Sequence, residues 1–293
     1  MTVAVYLPLL LAPLLALAAR RISTRGTPDL AARALVVAAV VAAAASTWSL
    51  CLLALTLLDD LPPLAALDDH PHIELPEPVP GPIALTAALF LMWGLIRLRA
   101  DLRRRLDTHR KLREVATPHA GLVVADWEEP LAVAVPGRPG HLLITTGMLR
   151  LLDDDERRVV YAHEHAHLAY RHHRLVAWTA AAAALNPLLA EVRETAEFLV
   201  ERWADEDAAT TIGDRALVAQ AVARASLATS GSGPTAMLGM HGGAAVHRVR
   251  ALAGGAPSPQ RSRLLPPILL TGGILATTAV ATTGFVNLAR AWL

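Results

Sequence analysis

Five consecutive residues in the middle of the chain have the types and spacing for hydrolytic chemistry: His163-Glu164-His165-Ala166-His167. Side chains four apart on a helix share a face. His163 and His167 can therefore hold one Zn²⁺ between them, and Glu164, beside the first histidine, can take a proton from a metal-activated water. A catalytic zinc takes three protein ligands and keeps its fourth position open. Downstream, Glu201-Arg202-Trp203-Ala204-Asp205 puts two acids one helical turn apart. Glu201 is the expected third ligand. Asp205 is expected to accept a hydrogen bond from the far nitrogen of a ligand histidine, which fixes the tautomer of the ring. Amide hydrolysis also needs a group to stabilise the tetrahedral oxyanion. His241, His247, Arg248 and Arg250 are the candidates. His165 is read as structural, and Arg171-His172-His173-Arg174 as a solvated or membrane-facing cationic end.

The elements that must position these residues follow from pattern. Acidic residues in Leu152-Asp153-Asp154-Asp155-Glu156 suit a helix N-terminus. Val159, Val160, Ala162, His163, Ala166 and His167 then recur at helical spacing. Before it, Leu122–Ala125, Leu131–Val135 and His141–Thr145 read as strands, with residues 136–140 (PGRPG) as a hairpin loop. An exposed edge strand can hold an extended substrate by main-chain hydrogen bonds, and Leu131–Val135 is the candidate for that work. Leu175–Ala190 is apolar and too short to span, so a helical hairpin lying against the membrane or the spans is expected. Glu191–Ala209 is expected to be an amphipathic helix. The Gly-, Pro- and Ser-rich stretches Ser230–Gly243 and Gly254–Pro259 read as mobile loops.

The composition, 54% hydrophobic over 293 residues, is that of membrane spans joined to one compact domain. Four stretches have the apolar length to cross a bilayer: Val3–Ala19, Ala32–Leu58, Ile83–Leu98 and Leu264–Val286. The first lacks a basic residue before it and is followed by Arg20 and Arg21, the reverse of a signal peptide. Basic residues flank the first connection and crowd residues 97–113, whereas the second connection, Asp59–Pro82, holds acids and no Lys or Arg. The positive-inside bias then predicts an outside N-terminus, an acidic extracellular loop 59–82 and a cytoplasmic catalytic region in the plasma membrane. The expected division is 1–111 as three transmembrane helices with a basic cytoplasmic exit, 112–263 as the peptidase domain, and 264–293 as the fourth span. The arginine cluster also suits anionic lipid. His70 and His72 lie among acids in the outer loop, where a plain exposed loop is expected. Cys51 is the only cysteine, which excludes a disulfide framework and a Cys-ligated metal. No nucleic-acid motif is present.

Together these residues resemble the BlaR/MecR-type membrane metallopeptidases. The matching pieces are residues 144–149 (ITTGML), His163 to His167, Arg171-His172, Leu185-Asn186-Pro187, and Glu201 to Asp205 followed by Glu206-Asp207-Ala208-Ala209. The resemblance implies a multi-span α-helical membrane protein with a cytoplasmic α+β gluzincin-like zinc peptidase domain. It also implies one Zn²⁺ per chain and a cytosolic, repressor-like protein substrate. His163, His167 and Glu201 would be ligands, and Glu164 the base. No S-x-x-K motif lies outside the membrane, so a separate sensor protein is expected. The chain is also similar to the HtpX and CAAX-prenyl endopeptidases, in which a histidine precedes an arginine by about two helical turns. His241 and Arg248 stand there as candidate catalytic residues. That likeness implies quality control of membrane proteins. A catalytically silent receptor is the third reading, and the full set of ligands plus base counts against it.

Overall fold

The computed structural model describes residues 5–22, 27–58, 79–230, 235–257 and 265–291. The acidic loop 59–78, with His70 and His72, lies outside them. Helices α1 (Leu7–Ile22) and α2 (Pro28–Leu55) come first, then α3 (Gly81–Glu114) and three strands, β1 (Leu122–Ala125), β2 (Ala132–Val135) and β3 (His141–Thr145). Seven helices follow: α4 (Thr146–Leu151), α5 (Asp154–Ala169), α6 (His172–Leu185), α7 (Ala190–Ile212), α8 (Arg215–Ser230), α9 (Thr235–Ala253) and α10 (Leu265–Ala291). The chain is mostly helical.

Among the described residues, three helices are long and apolar enough to cross a membrane: α2, α3 and the Leu265–Gly284 part of α10. The first expected span is shorter. Helix α1 has 16 residues, about 24 Å at 1.5 Å per residue, against a hydrocarbon core of roughly 30 Å. Helix α3 has 34 residues, about 51 Å. Its first half exposes Leu85, Leu89, Phe90, Trp93, Leu95 and Ile96. Its second half turns polar at Arg97 and carries the helix past the apolar region to the sheet, where Leu112 and Val115 pack on Val123, Val135 and Leu143.

The sheet order is β1-β3-β2, with β1 parallel and β2 antiparallel to β3. Strand β2 is therefore an edge. Thr145 N–H donates to Leu131 C=O. In an antiparallel ladder bonding alternates, so Val133 and Val135 bond inward to β3 while Ala132 and Ala134 turn their backbone groups to the free edge. The turn from β3 into α4 needs Gly147: a Cβ there would lie 2.0 Å from the Glu128 carbonyl oxygen, a contact no side chain can make.

Helix α5 starts at a capping box. Asp153 accepts from Glu156 N–H at 2.9 Å and Glu156 accepts from Asp153 N–H at 3.1 Å. Glu156 is fully buried and also meets Arg224 and Gln220 of α8, which ties the start of α5 to its neighbour.

The expected hairpin at Leu175–Ala190 is the α6–α7 corner, and it lies against the apolar helices. The Asn186 amide donates to Ser46 Oγ of α2 at 3.0 Å, and the Leu185 carbonyl oxygen lies 3.1 Å from where Gly94 of α3 would carry a Cβ. Both partners sit well inside their helices. One apolar cluster runs from Ala12, Leu15 and Leu35 into Val192, Leu199 and Val200 of α7. Glu191 pairs with Arg20, and Arg33 lies over the Trp203 ring, 4.9 Å from its centroid. Within the Gly-, Pro- and Ser-rich stretch 230–243 the chain is helical from Thr235, because Ala236, Met237, Leu238 and Met240 favour the helix between the glycines.

Candidate metal centre

Helices α5 and α7 pack side by side, and their facing turns bring His163, His167 and Glu201 together. The two Nε2 atoms are 3.1 Å apart. Glu201 Oε2 lies 3.5 Å from His163 Nε2, and its Oε1 3.5 Å from His167 Nε2. Three atoms bound tetrahedrally to zinc at about 2.0–2.1 Å would be roughly 3.3–3.4 Å apart. The donors present, two imidazole nitrogens and one carboxylate, therefore fit a zinc ion in kind and spacing.

Behind this triangle, His163 Nδ1 lies 3.1 Å from Asp205 Oδ1. Arg248 of α9 grips the same carboxylate, Nε to Oδ2 and Nη2 to Oδ1, both at 2.7 Å. Its Nη1 stands 3.1 Å from Glu201 Oε2. Each guanidinium nitrogen thus faces a carboxylate, and the arginine clamps the acids of α7. Of the other oxyanion candidates, His247 and Arg250 are exposed. His241 is on α9, its side chain outside the described residues. His165 is exposed on the far face of α5.

Glu164 turns away from the triangle towards the sheet, where its Oε2 accepts from Ala134 N–H at 2.7 Å. Edge strand and carboxylate are thereby locked together. A cavity of about 160 Å³ opens beside them, lined by Leu131, Met148, Val160, Val222, Glu164 and Arg248 among others. A second, of about 390 Å³, lies on the other side of the same residues and reaches Arg105 and His109 of α3.

The electrostatics follow from burial among these charges. Desolvation works against a charge on His163, but Asp205 and Glu201 outweigh it and raise its pKa to about 10. Desolvation lifts Glu164 to about 7, against the pull of His163 and the Ala134 N–H. It takes His167 down to about 4. Burial also opposes ionisation of Glu201 and Asp205, yet both stay well below the usual carboxylate range: His163 and Arg248 hold Glu201, and the Arg248 hydrogen bonds hold Asp205.

One residue of the site was not foreseen. His172, expected in a solvated or membrane-facing cationic end, is 1% exposed. Its Nδ1 lies 3.1 Å from His167 Nδ1, and its ring packs against Trp203 and Tyr170, which also touch each other. Face arithmetic on α5 misses it because that helix ends at Ala169. Arg171 adopts a left-handed backbone, φ 55°, and folds the next turn back onto the histidines. The Arg171-His172 pair was visible only as part of the family likeness.

Residues 99–241 match peptidase family M48. This M48 segment, a little under half of the chain, contains the H-E-x-x-H helix, the strands and the E-x-x-x-D helix, and M48 metallopeptidases use zinc. The match supports an M48-type metallopeptidase. No curated protein and no solved structure matches the chain.

Proposed function

We propose that the chain is a membrane-embedded zinc endopeptidase that cuts an extended segment of a protein on the cytoplasmic side. The observation that carries this reading is the joint placement of three converging donors, an adjacent half-buried carboxylate and an edge strand bonded to that carboxylate. His163, His167 and Glu201 would hold the ion. When bound, zinc supplies a Lewis acid that polarises the scissile carbonyl and makes water acidic near neutral pH. The outward backbone groups of Ala132 bind the substrate main chain and lay it across the site. The apolar cavity beside Met148, Val160 and Val222 receives a small or medium apolar side chain. Glu164 accepts the proton of the attacking water and returns it to the leaving amine. Asp205 holds His163 through Nδ1, and Arg248 holds Asp205.

The cytoplasmic placement draws on the positive-inside bias. The basic residues that mark that side, Arg20, Arg33 and Arg105, meet Glu191, Trp203 and the larger catalytic cavity.

The BlaR/MecR-type likeness supplies the finer substrate: a repressor-like cytosolic protein, in a pathway where a separate sensor takes the signal. Quality control of membrane proteins is the second reading. It gains from Arg248, which the HtpX likeness also picks out and which contacts both acids of α7. Comparing cellular protein N-termini between wild type and Glu164→Gln tests all of this. Loss of one or a few cytosolic cuts in the variant supports the regulatory reading. Altered fragments of many membrane proteins move the function to quality control, and identical N-termini overturn the enzyme itself.

A further inference from the structure

Resting on the zinc reading above, we infer that His172 is the positioning residue of His167: it accepts the Nδ1 proton of that ligand and thereby fixes both its tautomer and its ring plane.

The two rings meet nitrogen to nitrogen, Nδ1 to Nδ1, at 3.1 Å. Such a pair bonds only when one nitrogen carries the proton and the other a lone pair. His167 presents Nε2 to His163 and Glu201, so a metal takes that lone pair and the proton stays on Nδ1. His172 must then be the acceptor at Nδ1 and carry its own proton on Nε2. Among the described residues that buried Nε2 has no hydrogen-bond partner, so nothing at its other end competes for the tautomer. The ring cannot swing away. Its centroid is 4.6 Å from Trp203 and 5.8 Å from Tyr170, stacked on the latter. Arg171, in its left-handed conformation, begins α6 at the one place that returns this imidazole to α5.

Metal-ligand histidines whose far nitrogen loses its partner typically forfeit about 10–100-fold in metal affinity. The test is zinc affinity of the full-length, detergent-solubilised chain by chelator competition, with His172→Asn, His172→Gln and His172→Phe beside wild type. Asparagine puts its amide oxygen where Nδ1 was. Glutamine puts it at the Nε2 position, and phenylalanine fills the slot with no acceptor. The expected result is near-wild-type affinity for Asn and a loss of about 10–100-fold for Gln and Phe, with thermal midpoints showing that each variant folds. Wild-type affinity in Gln or Phe overturns the inference. So does an Asn variant as weak as Phe, which would make the role one of packing. Should Phe fail to fold, the contrast between the two amides decides alone. A wild-type protein that takes up no zinc would sink the enzyme reading instead, a distinct outcome.

Discussion

The two histidines of one motif are held in place by opposite means. His163 leans on a carboxylate that is itself gripped by a guanidinium, a charged relay running from α5 through α7 to α9. His167 leans on a neutral imidazole packed against a pair of touching aromatic rings, and that side continues through Trp203 to Arg33 on the apolar helix α2. The charged side adds negative potential at the metal position and costs stability wherever one partner is missing. The neutral side adds orientation without charge and depends on packing. An ion held by two such arms keeps its ligands rigid without accumulating acids around a single site.

That contrast can be broken from either arm. The largest effect is expected at the residue both arms share: Glu201→Ala should lower zinc affinity by orders of magnitude in chelator competition. An unchanged affinity would mean the third ligand lies elsewhere. Next comes Arg248→Met, which strips the buried Asp205 carboxylate of its guanidinium partner. It should destabilise the fold by about 3–5 kcal/mol, as for one partner removed from a buried ion pair, read as a fall in Tm. Adding Asp205→Asn to that variant should recover most of the stability but not the metal affinity. Asp205→Asn alone should weaken zinc binding by about 10–100-fold, similar in size to loss of the neutral acceptor on the other arm. A much larger loss from Asp205→Asn would show that charge, rather than orientation, is what the partners contribute. The smallest effect belongs to Arg33→Met. It removes a cation over an aromatic face and should cost about 0.5–1 kcal/mol with zinc affinity unchanged.

The charged arm was legible in the sequence. His163, Glu164, His167, Glu201 and Asp205 are each paired with a neighbour within one helix, where spacing alone decides which side chains share a face. Arg248 was only one of four oxyanion candidates that the sequence could not rank, since its helix is brought to α7 by packing that no local pattern encodes. The neutral arm was not legible. It depends on a single left-handed residue, Arg171, that redirects the chain, and periodicity says nothing across such a break. The strands were readable from their β-branched runs, and β2 as an edge was a fair expectation from the hairpin. The placement of β1 alongside β3, parallel and beyond the hairpin, was not. Residues 235–243 read as a loop because glycines dominate the pattern, while the helix formers between them carry the structure.

The third prominent feature is the corner at Leu185 and Asn186, wedged between α2 and α3. Leu199, on the helix that bears Glu201 and Asp205, shares one continuous apolar core with Leu15 of α1 and Leu35 of α2. A fragment trimmed to the peptidase portion would bare that face to water and collapse or aggregate. A catalytic unit that shares its core with the apolar helices in this way is not shed as a free-roaming active piece. A peptidase built this way has a tethered reach, and any polypeptide it cuts must be delivered to it.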